Sequence, residues 1–260
     1  MNNKALLVGI NKYPDPNNEL RGCINDILDM EHYISVTNTI YKKENIIKLT
    51  DQQASKKSIV AHLKWLVEGA QSGDQILFHY SGHGAQITTK HPKEEIDGND
   101  EIICPYDFDW TNETTLRDKE FAQIFLAIPK GVHFVWISDS CHAEDLSRDI
   151  GQGEKVTYRF FNSAMNKLNQ DSIMNTPAVV APLNGVLLSA CESEQLSADA
   201  YIDRRFNGAF THYLLKNLAT AQAGQSLQET IHLVKSDLSI NGFDQRPQVE
   251  GLLAHSSFFI

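Results

Sequence analysis

The sequence predicts an α/β fold with a mostly parallel central sheet of about six strands, flanked by helices on both faces. Two observations carry this expectation. Short apolar runs alternate along the chain with segments whose apolar residues recur three and four apart, the pattern of strands joined by covering helices. Two of the runs also stop abruptly at small polar residues, as strands do where a parallel sheet presents its ligand-binding edge.

Taken in order, strands are expected at Ala5–Ile10, Ile46–Leu49, Gln75–Tyr80, Val132–Ser138 and Gly185–Ala190, with a sixth near Leu253–Phe259. Between them lie five helical stripes. Ile24, Ile27, Leu28 and Ile34 form the first, and Ile59, Val60, Leu63, Leu66, Val67 and Ala70 the second. Phe121, Ile124, Phe125 and Ile128 form the third, Phe210, Tyr213, Leu214 and Leu218 the fourth, and Leu227, Ile231, Val234 and Leu238 the fifth. Two stretches break the alternation. Residues 91–114 are acidic and loop-like, and residues 149–184 are long and mostly polar, although Tyr158, Phe160 and Phe161 imply that part of the second packs.

The 260 residues suffice to bury a large core, and 42% apolar with 22% charged residues is an ordinary globular composition. No apolar stretch approaches the ~20 residues of a membrane span. The short apolar run after Met1 is followed by no small-residue cleavage site, so a cytoplasmic location is expected. Cys23, Cys104, Cys141 and Cys191 are scattered, which suggests reduced thiols rather than a disulfide framework. A net charge of −10 argues against nucleic acid as a partner and is compatible with a cationic peptide.

The chemistry sits at the two abrupt strand ends. Ile76-Leu77-Phe78-His79-Tyr80-Ser81-Gly82-His83-Gly84 delivers a histidine, and Trp136-Ile137-Ser138-Asp139-Ser140-Cys141-His142 delivers a cysteine. A thiol attacks a carbonyl as thiolate, and a neighbouring imidazole supplies that form by taking the proton. His83 is therefore the candidate base and Cys141 the candidate nucleophile, with the backbone amides of Gly84 and Cys141 as candidate oxyanion donors. A buried structural cysteine beside an unrelated histidine is the plainer alternative, and the two matched strand-end placements weigh against it. A metal reading would recruit His79, His83, His91, Cys104 and His142, but the four-residue spacing of His79 and His83 crosses a strand end instead of lying on a helix. No resident metal is expected. Nucleotide-binding signatures are missing: Val8-Gly9-Ile10-Asn11 lacks the further glycines of a dinucleotide loop.

These motifs resemble those of the caspase-like (clan CD, peptidase C14) cysteine peptidases, most closely the metacaspases and their bacterial relatives, the orthocaspases. Tyr80–Gln86 resembles the family's histidine motif, Asp97–Asp107 the acidic stretch that follows it, and Asp139–Ala143 the nucleophile motif. Leu20–Asp26 resembles the entry to the first helix, and Leu188–Glu192, Gly208–Leu215 and Arg246–Gln248 resemble the small-subunit region. The resemblance implies one caspase-like peptidase domain over 1–260: a large-subunit-like region at 1–148, an intersubunit-type loop at 149–184 and a small-subunit-like region at 185–260. It implies a substrate pocket floored by Asp26 and Asp139 and lined by Cys23 and Ser81, with endopeptidase cleavage after Arg or Lys, since paired carboxylates suit a guanidinium or ammonium group.

Self-cleavage in the 149–184 loop, at or near Arg148, Lys155, Arg159 or Lys167, is a further expectation, as are a monomeric state and a separately encoded regulator. The chain departs from the family after the nucleophile, where Cys141-His142-Ala143-Glu144 replaces a cysteine-histidine-serine-glycine run; His142 is read as structural. For calcium activation, known in metacaspases, the resemblance offers Asp97, Asp100 and Asp118 as candidate ligands, while Lys119 stands where an acidic partner would be needed and would repel a hard cation. The rival class is a catalytically silent scaffold that keeps the fold and works as a binding or regulatory module.

Overall fold

A computed structural model describes residues 1–88, 99–141, 156–161, 184–192 and 195–259. Its first half contains β1 (Lys4–Gly9), α1 (Cys23–His32), β2 (Ile46–Thr50), α2 (Lys56–Val67), β3 (Gln75–Ser81), β4 (Gly84–Thr88), β5 (Asn99–Ile103), β6 (Leu116–Arg117), α3 (Asp118–Phe125) and β7 (His133–Asp139). The second half contains β8 (Val156–Tyr158), β9 (Val186–Ser189), β10 (Ala198–Ile202), β11 (Arg205–Gly208), α4 (Ala209–Ala219), α5 (Leu227–Ile240) and β12 (Gln248–Glu250).

The central sheet runs β12-β9-β7-β3-β1-β2. Its first five strands in sequence are mutually parallel, and β12 closes one edge antiparallel to β9. Period-2 alternation sorts the side chains. Leu6, Val8, Ile76, Phe78 and Phe134 face a layer containing Ile59, Leu63 and Leu66 of α2 and Phe121 and Phe125 of α3. Ala5, Leu7, Leu77, Val135 and Ile137 face a layer built from Ile27 and Met30 of α1, Phe210 and Leu214 of α4, and Ile231 and Val234 of α5. Ser55 and Ser226 cap α2 and α5 by accepting the Ser58 and Glu229 amides. The expected α/β architecture, with helices on both faces, is thus the observed one.

Three details differ from the sequence reading. The sixth strand is Gln248–Glu250, whereas 253–259 forms turns that seat Phe258 and Phe259 against Tyr33. The first helical stripe is rotated: Leu28 is 43% exposed, and the inward face is Cys23, Asp26, Ile27 and Met30. Part of the acidic stretch is β5, paired antiparallel with β4, because Ile102 and Ile103 bury in the core. The described residues also form two three-stranded sheets, β4-β5-β6 and β11-β10-β8; Arg159, just after β8, joins Asp199 of β10 to Asp139 at the carboxyl end of β7.

Candidate active site

β3 and β7 are neighbours in register, Ser81 opposite Asp139, so the two expected strand ends lie side by side. Beyond them the chain turns within hydrogen-bond reach: the Gly82 amide donates to the Asp139 carbonyl at 3.3 Å. The turn bearing His83 is held by two phenols. Tyr80 donates its hydroxyl hydrogen to the His83 and Cys104 carbonyls at 2.7 and 2.9 Å, and the Tyr13 hydroxyl oxygen accepts the His83 amide at 2.9 Å. A Cβ on Gly82 would stand 2.6 Å from the Tyr80 hydroxyl, so this close approach requires glycine.

The His83 ring contacts the Asn18 carbonyl oxygen through Nε2 at 2.8 Å. A carbonyl only accepts, so Nε2 carries the hydrogen and Nδ1 holds the free lone pair. Nδ1 is buried and has no hydrogen-bond partner among the described residues. Burial lowers the imidazole to about 4, partly opposed by the Asn18 and Arg159 carbonyls. Cys141 is fully buried, with Sγ 4.0 Å from the Ser197 carbonyl oxygen, and burial pushes its thiol up to about 12. Thiol and imidazole are therefore both neutral near pH 7 in this arrangement and are not hydrogen-bonded to each other.

The residues expected to form the pocket do come together, and a side chain of the same chain, Arg159, stands among them. The Arg159 guanidinium is fully buried among three carboxylates: Asp26 at 2.7 Å, Asp139 at 3.1 Å and Asp199 at 3.3 Å. It also donates to the Ser81 hydroxyl at 2.7 Å and the Asp139 carbonyl at 3.1 Å. Each carboxylate has further donors. Asp26 accepts the Ser81 hydroxyl and the Gly208 amide; Asp139 accepts the Ser197 and Thr211 hydroxyls and the Thr211 amide; Asp199 accepts the Arg21 and Gly22 amides. Cys23 is fully buried close to these charges. Burial raises the Asp26 carboxyl to about 7, and the Arg159 charge is the largest influence opposing that rise. Gly208 is needed here, since a Cβ would lie 2.2 Å from Asp139 Oδ2 and 2.6 Å from Arg159 Nη1.

The Arg159 backbone is placed as tightly as its side chain. Its carbonyl oxygen accepts the Gly84 amide at 3.0 Å and the Cys141 amide at 3.3 Å, the two donors expected for an oxyanion. Its own amide donates to the Ser197 carbonyl at 3.0 Å. Upstream, β8 pairs antiparallel with β10, Tyr158 opposite Ala198. Downstream, Phe160 bridges Gly84, and the Phe161 amide donates to the Gly84 carbonyl at 3.0 Å. Residues 156–161 therefore run through the site as an extended strand with the Arg159–Phe160 peptide bond at its centre.

Asp199, Ser197, Thr211, Asn18 and Tyr13 were not singled out by sequence reasoning. The alternation of polar Ser197 and Asp199 with Ala198 and Ala200 is a strand signal that could have pointed to the first two. His79 lies apart from the His83 turn: its Nε2 is 3.4 Å from the Thr211 hydroxyl, and burial lowers it to about 4. Among the described residues no group of three His, Cys, Asp or Glu side chains is placed to hold a metal. His91, Asp97, His142, Arg148, Lys155 and Lys167 lie outside the described residues, as do the side chains of Asp100, Asp118 and Lys119. The four cysteines are free and buried, and no described helix is long and apolar enough to cross a membrane.

A parallel sheet that brings a histidine turn and a cysteine turn together at its carboxyl edge defines the class of caspase-like cysteine endopeptidases. The family model "Metacaspase, peptidase C14 domain" matches residues 3–147, and the chain belongs to that family. It is 30% identical to Metacaspase-1 of Candida glabrata over 95% of this chain and 71% of that protein. It is 31% identical to Metacaspase-1B of Neurospora crassa, over 95% of this chain and 66% of the relative. Among solved structures, a Geobacter sulfurreducens protein superposes with a TM-score of 0.73 at 22% identity, over 99% of this chain and 98% of that one. Caspase-1 from Spodoptera frugiperda superposes at 0.62 and 12% identity, over 98% and 90%.

Proposed function

We propose that this cysteine endopeptidase hydrolyses peptide bonds after arginine or lysine through a His83–Cys141 dyad, and that residues 156–161 are its own first substrate. The observation that carries the reading is Arg159, whose guanidinium is surrounded by Asp26, Asp139 and Asp199 while its carbonyl rests on the Gly84 and Cys141 amides. A docked aspartate would have no cation to meet there; a lysine or arginine finds its charge complement.

In this mechanism His83 Nδ1 takes the Cys141 proton and the thiolate adds to the carbonyl carbon. The developing oxyanion stays on the two amides, where fixed donors stabilise it. The imidazolium then gives its proton to the departing amine as the C–N bond breaks, leaving a thioester. Water, deprotonated by His83, hydrolyses that thioester and frees Cys141. Until Arg159 is cut or withdrawn, the pocket is closed to other chains. A separately encoded regulator, acting by drawing the segment out, fits the same arrangement. A reducing cytoplasmic compartment fits the four free thiols.

Peptidyl-coumarins ending in Arg, Lys or Asp, assayed with wild type and Cys141→Ala, test the reading. Turnover of the first two, lost in Cys141→Ala, is expected, together with a new amino terminus at Phe160 after incubation. Preference for Asp, or undiminished activity in Cys141→Ala, would sink the specificity or the nucleophile. Selective labelling of Cys141 by a peptidyl-Arg chloromethylketone separates an enzyme from a silent scaffold, which would take up no label.

A further inference from the structure

Beyond the scissile bond, the Phe161 ring is set edge-on among four other rings. Its centroid lies 5.1 Å from Phe108, 5.5 Å from His83, 5.7 Å from Tyr13 and 5.9 Å from Trp110, at interplanar angles of 70–87°. Phe161 is 8% exposed, and its amide is fixed to the Gly84 carbonyl. The walls are built independently of it. Phe108 and Trp110 pack on one another at 4.8 Å, and Trp110 has a left-handed backbone (φ 68°), a conformation unfavourable to a bulky residue. The Asp109 carboxylate secures that turn by accepting the Thr111 amide and the Thr111 and Thr114 hydroxyls.

Gly84 links this box to the chemistry, since its amide binds the Arg159 carbonyl and its carbonyl binds the Phe161 amide. Any chain laid along the same track puts its second residue after the cleaved bond into the box. We infer that Tyr13, Phe108 and Trp110, together with the His83 ring, form a subsite on the leaving-group side that selects an aromatic residue. The substrate class is then Arg-Xaa-Phe, Arg-Xaa-Tyr or Arg-Xaa-Trp in an extended segment. Edge-to-face contacts favour an aromatic occupant over an aliphatic one of similar area. One wall is the candidate base itself, so filling the box also holds the imidazole against Asn18. This inference rests on the proposed reading of the Arg159–Phe160 bond as the one attacked.

The test uses the full chain carrying Arg159→Ala and Phe161→Ala, which vacates the track. Internally quenched peptides Val-Thr-Tyr-Arg-Phe-Phe and Val-Thr-Tyr-Arg-Phe-Ala are compared by kcat/KM, with Val-Thr-Tyr-Arg-coumarin, which has no residue for the box, as the reference. At least a tenfold preference for the first peptide is expected, falling below about twofold when Trp110→Ala is added. Equal kcat/KM for the two hexapeptides, with the coumarin turned over, would overturn the subsite and leave the arginine specificity standing. If the coumarin is not cleaved, the arginine reading fails instead. Anisotropy binding of the same two hexapeptides to the Cys141→Ala form then decides the box alone, equal affinity rejecting it and a tenfold difference supporting it.

Discussion

The Cys141 amide donates to the Arg159 carbonyl oxygen at 3.3 Å, so the backbone of the candidate nucleophile holds the very group its thiol would attack. The Ser197 carbonyl, which receives the Arg159 amide at 3.0 Å, lies 4.0 Å from the same Sγ. Substrate alignment and thiol placement are thus set by one small set of backbone atoms.

Emptying the pocket should expose a site that is otherwise filled. Cys141→Ala removes chemistry, and Arg159→Ala added to it removes the occupant. The double variant is expected to bind Val-Thr-Tyr-Arg-amide at least tenfold more tightly than Cys141→Ala alone, measured by titration calorimetry. Equal affinity would show that the segment does not compete.

Asp199 is the third carboxylate around the guanidinium and also accepts the Arg21 and Gly22 amides. In an Arg159→Ala background, Asp199→Asn is expected to lower kcat/KM for an arginine coumarin by about tenfold or more, mainly through KM. In the intact chain two carboxylates still face the guanidinium, so Asp199→Asn should reduce stability by only roughly 1–3 kcal/mol, the loss of a charge-assisted hydrogen bond, read from denaturant midpoints.

Under the proposed arginine specificity, Asp26 is expected to set the pH dependence of arginine binding. Burial raises its carboxyl to about 7, and Arg159 is the strongest influence holding it down, so Arg159→Ala should raise it further. Because the folded value lies above the unfolded one, Asp26 favours the folded state most below the ordinary carboxylate range. That contribution is lost as pH rises from there through about 7. Arginine binding runs the other way, since it needs the ionised form: affinity of the open variant should fall as pH drops from 8 to 6. Carbon-13 NMR of the Asp26 carboxyl and peptide titrations at both pH values check the two statements.

The thiol should report on the docked strand. Burial holds Cys141 near 12, so iodoacetamide at pH 7.5 should modify it slowly in the intact chain. In Arg159→Ala the rate is expected to rise at least tenfold at Cys141, with no comparable gain at Cys104 or Cys191, which lie away from the vacated guanidinium. Peptide mapping resolves the four positions.

Tyr13 acts through His83, whose amide it accepts at 2.9 Å. Tyr13→Phe leaves that buried N–H without its acceptor, a loss of about 1–3 kcal/mol. In the Arg159→Ala background, kcat for an arginine coumarin is expected to drop about tenfold while KM stays within about twofold. A change confined to KM, or to thermal stability, would mean that the phenol does not position the imidazole.

The parallel sheet and the side-by-side placement of the two strand ends that lead into His83 and Cys141 were legible, because apolar runs ending at Ser81 and Asp139 are local signals and strand ends in such sheets share one edge. Asp26 looked like a surface helix position until the family resemblance placed it in the pocket, and the structure buries it completely. Asp199 and Asn18 escaped because their roles arise from contacts across long sequence separations, which no window of residues displays. Arg159 was visible as one of several basic residues in a polar stretch. Its burial depends on three carboxylates that only the folded chain assembles. Gln248–Glu250 was missed as a strand because three residues after a proline carry little periodic signal.

The order of strands in the central sheet determines what a break after Arg159 would leave behind. β7, from the first piece, pairs through Val135–Ser138 with the whole of β9, from the second, and β8 likewise stays paired with β10. The two fragments would remain interlocked as one particle, separating on a denaturing gel yet eluting together in native buffer. Cutting would then work like releasing a latch on a box whose walls stay joined, freeing the strand's new ends to move while the sheet keeps its shape.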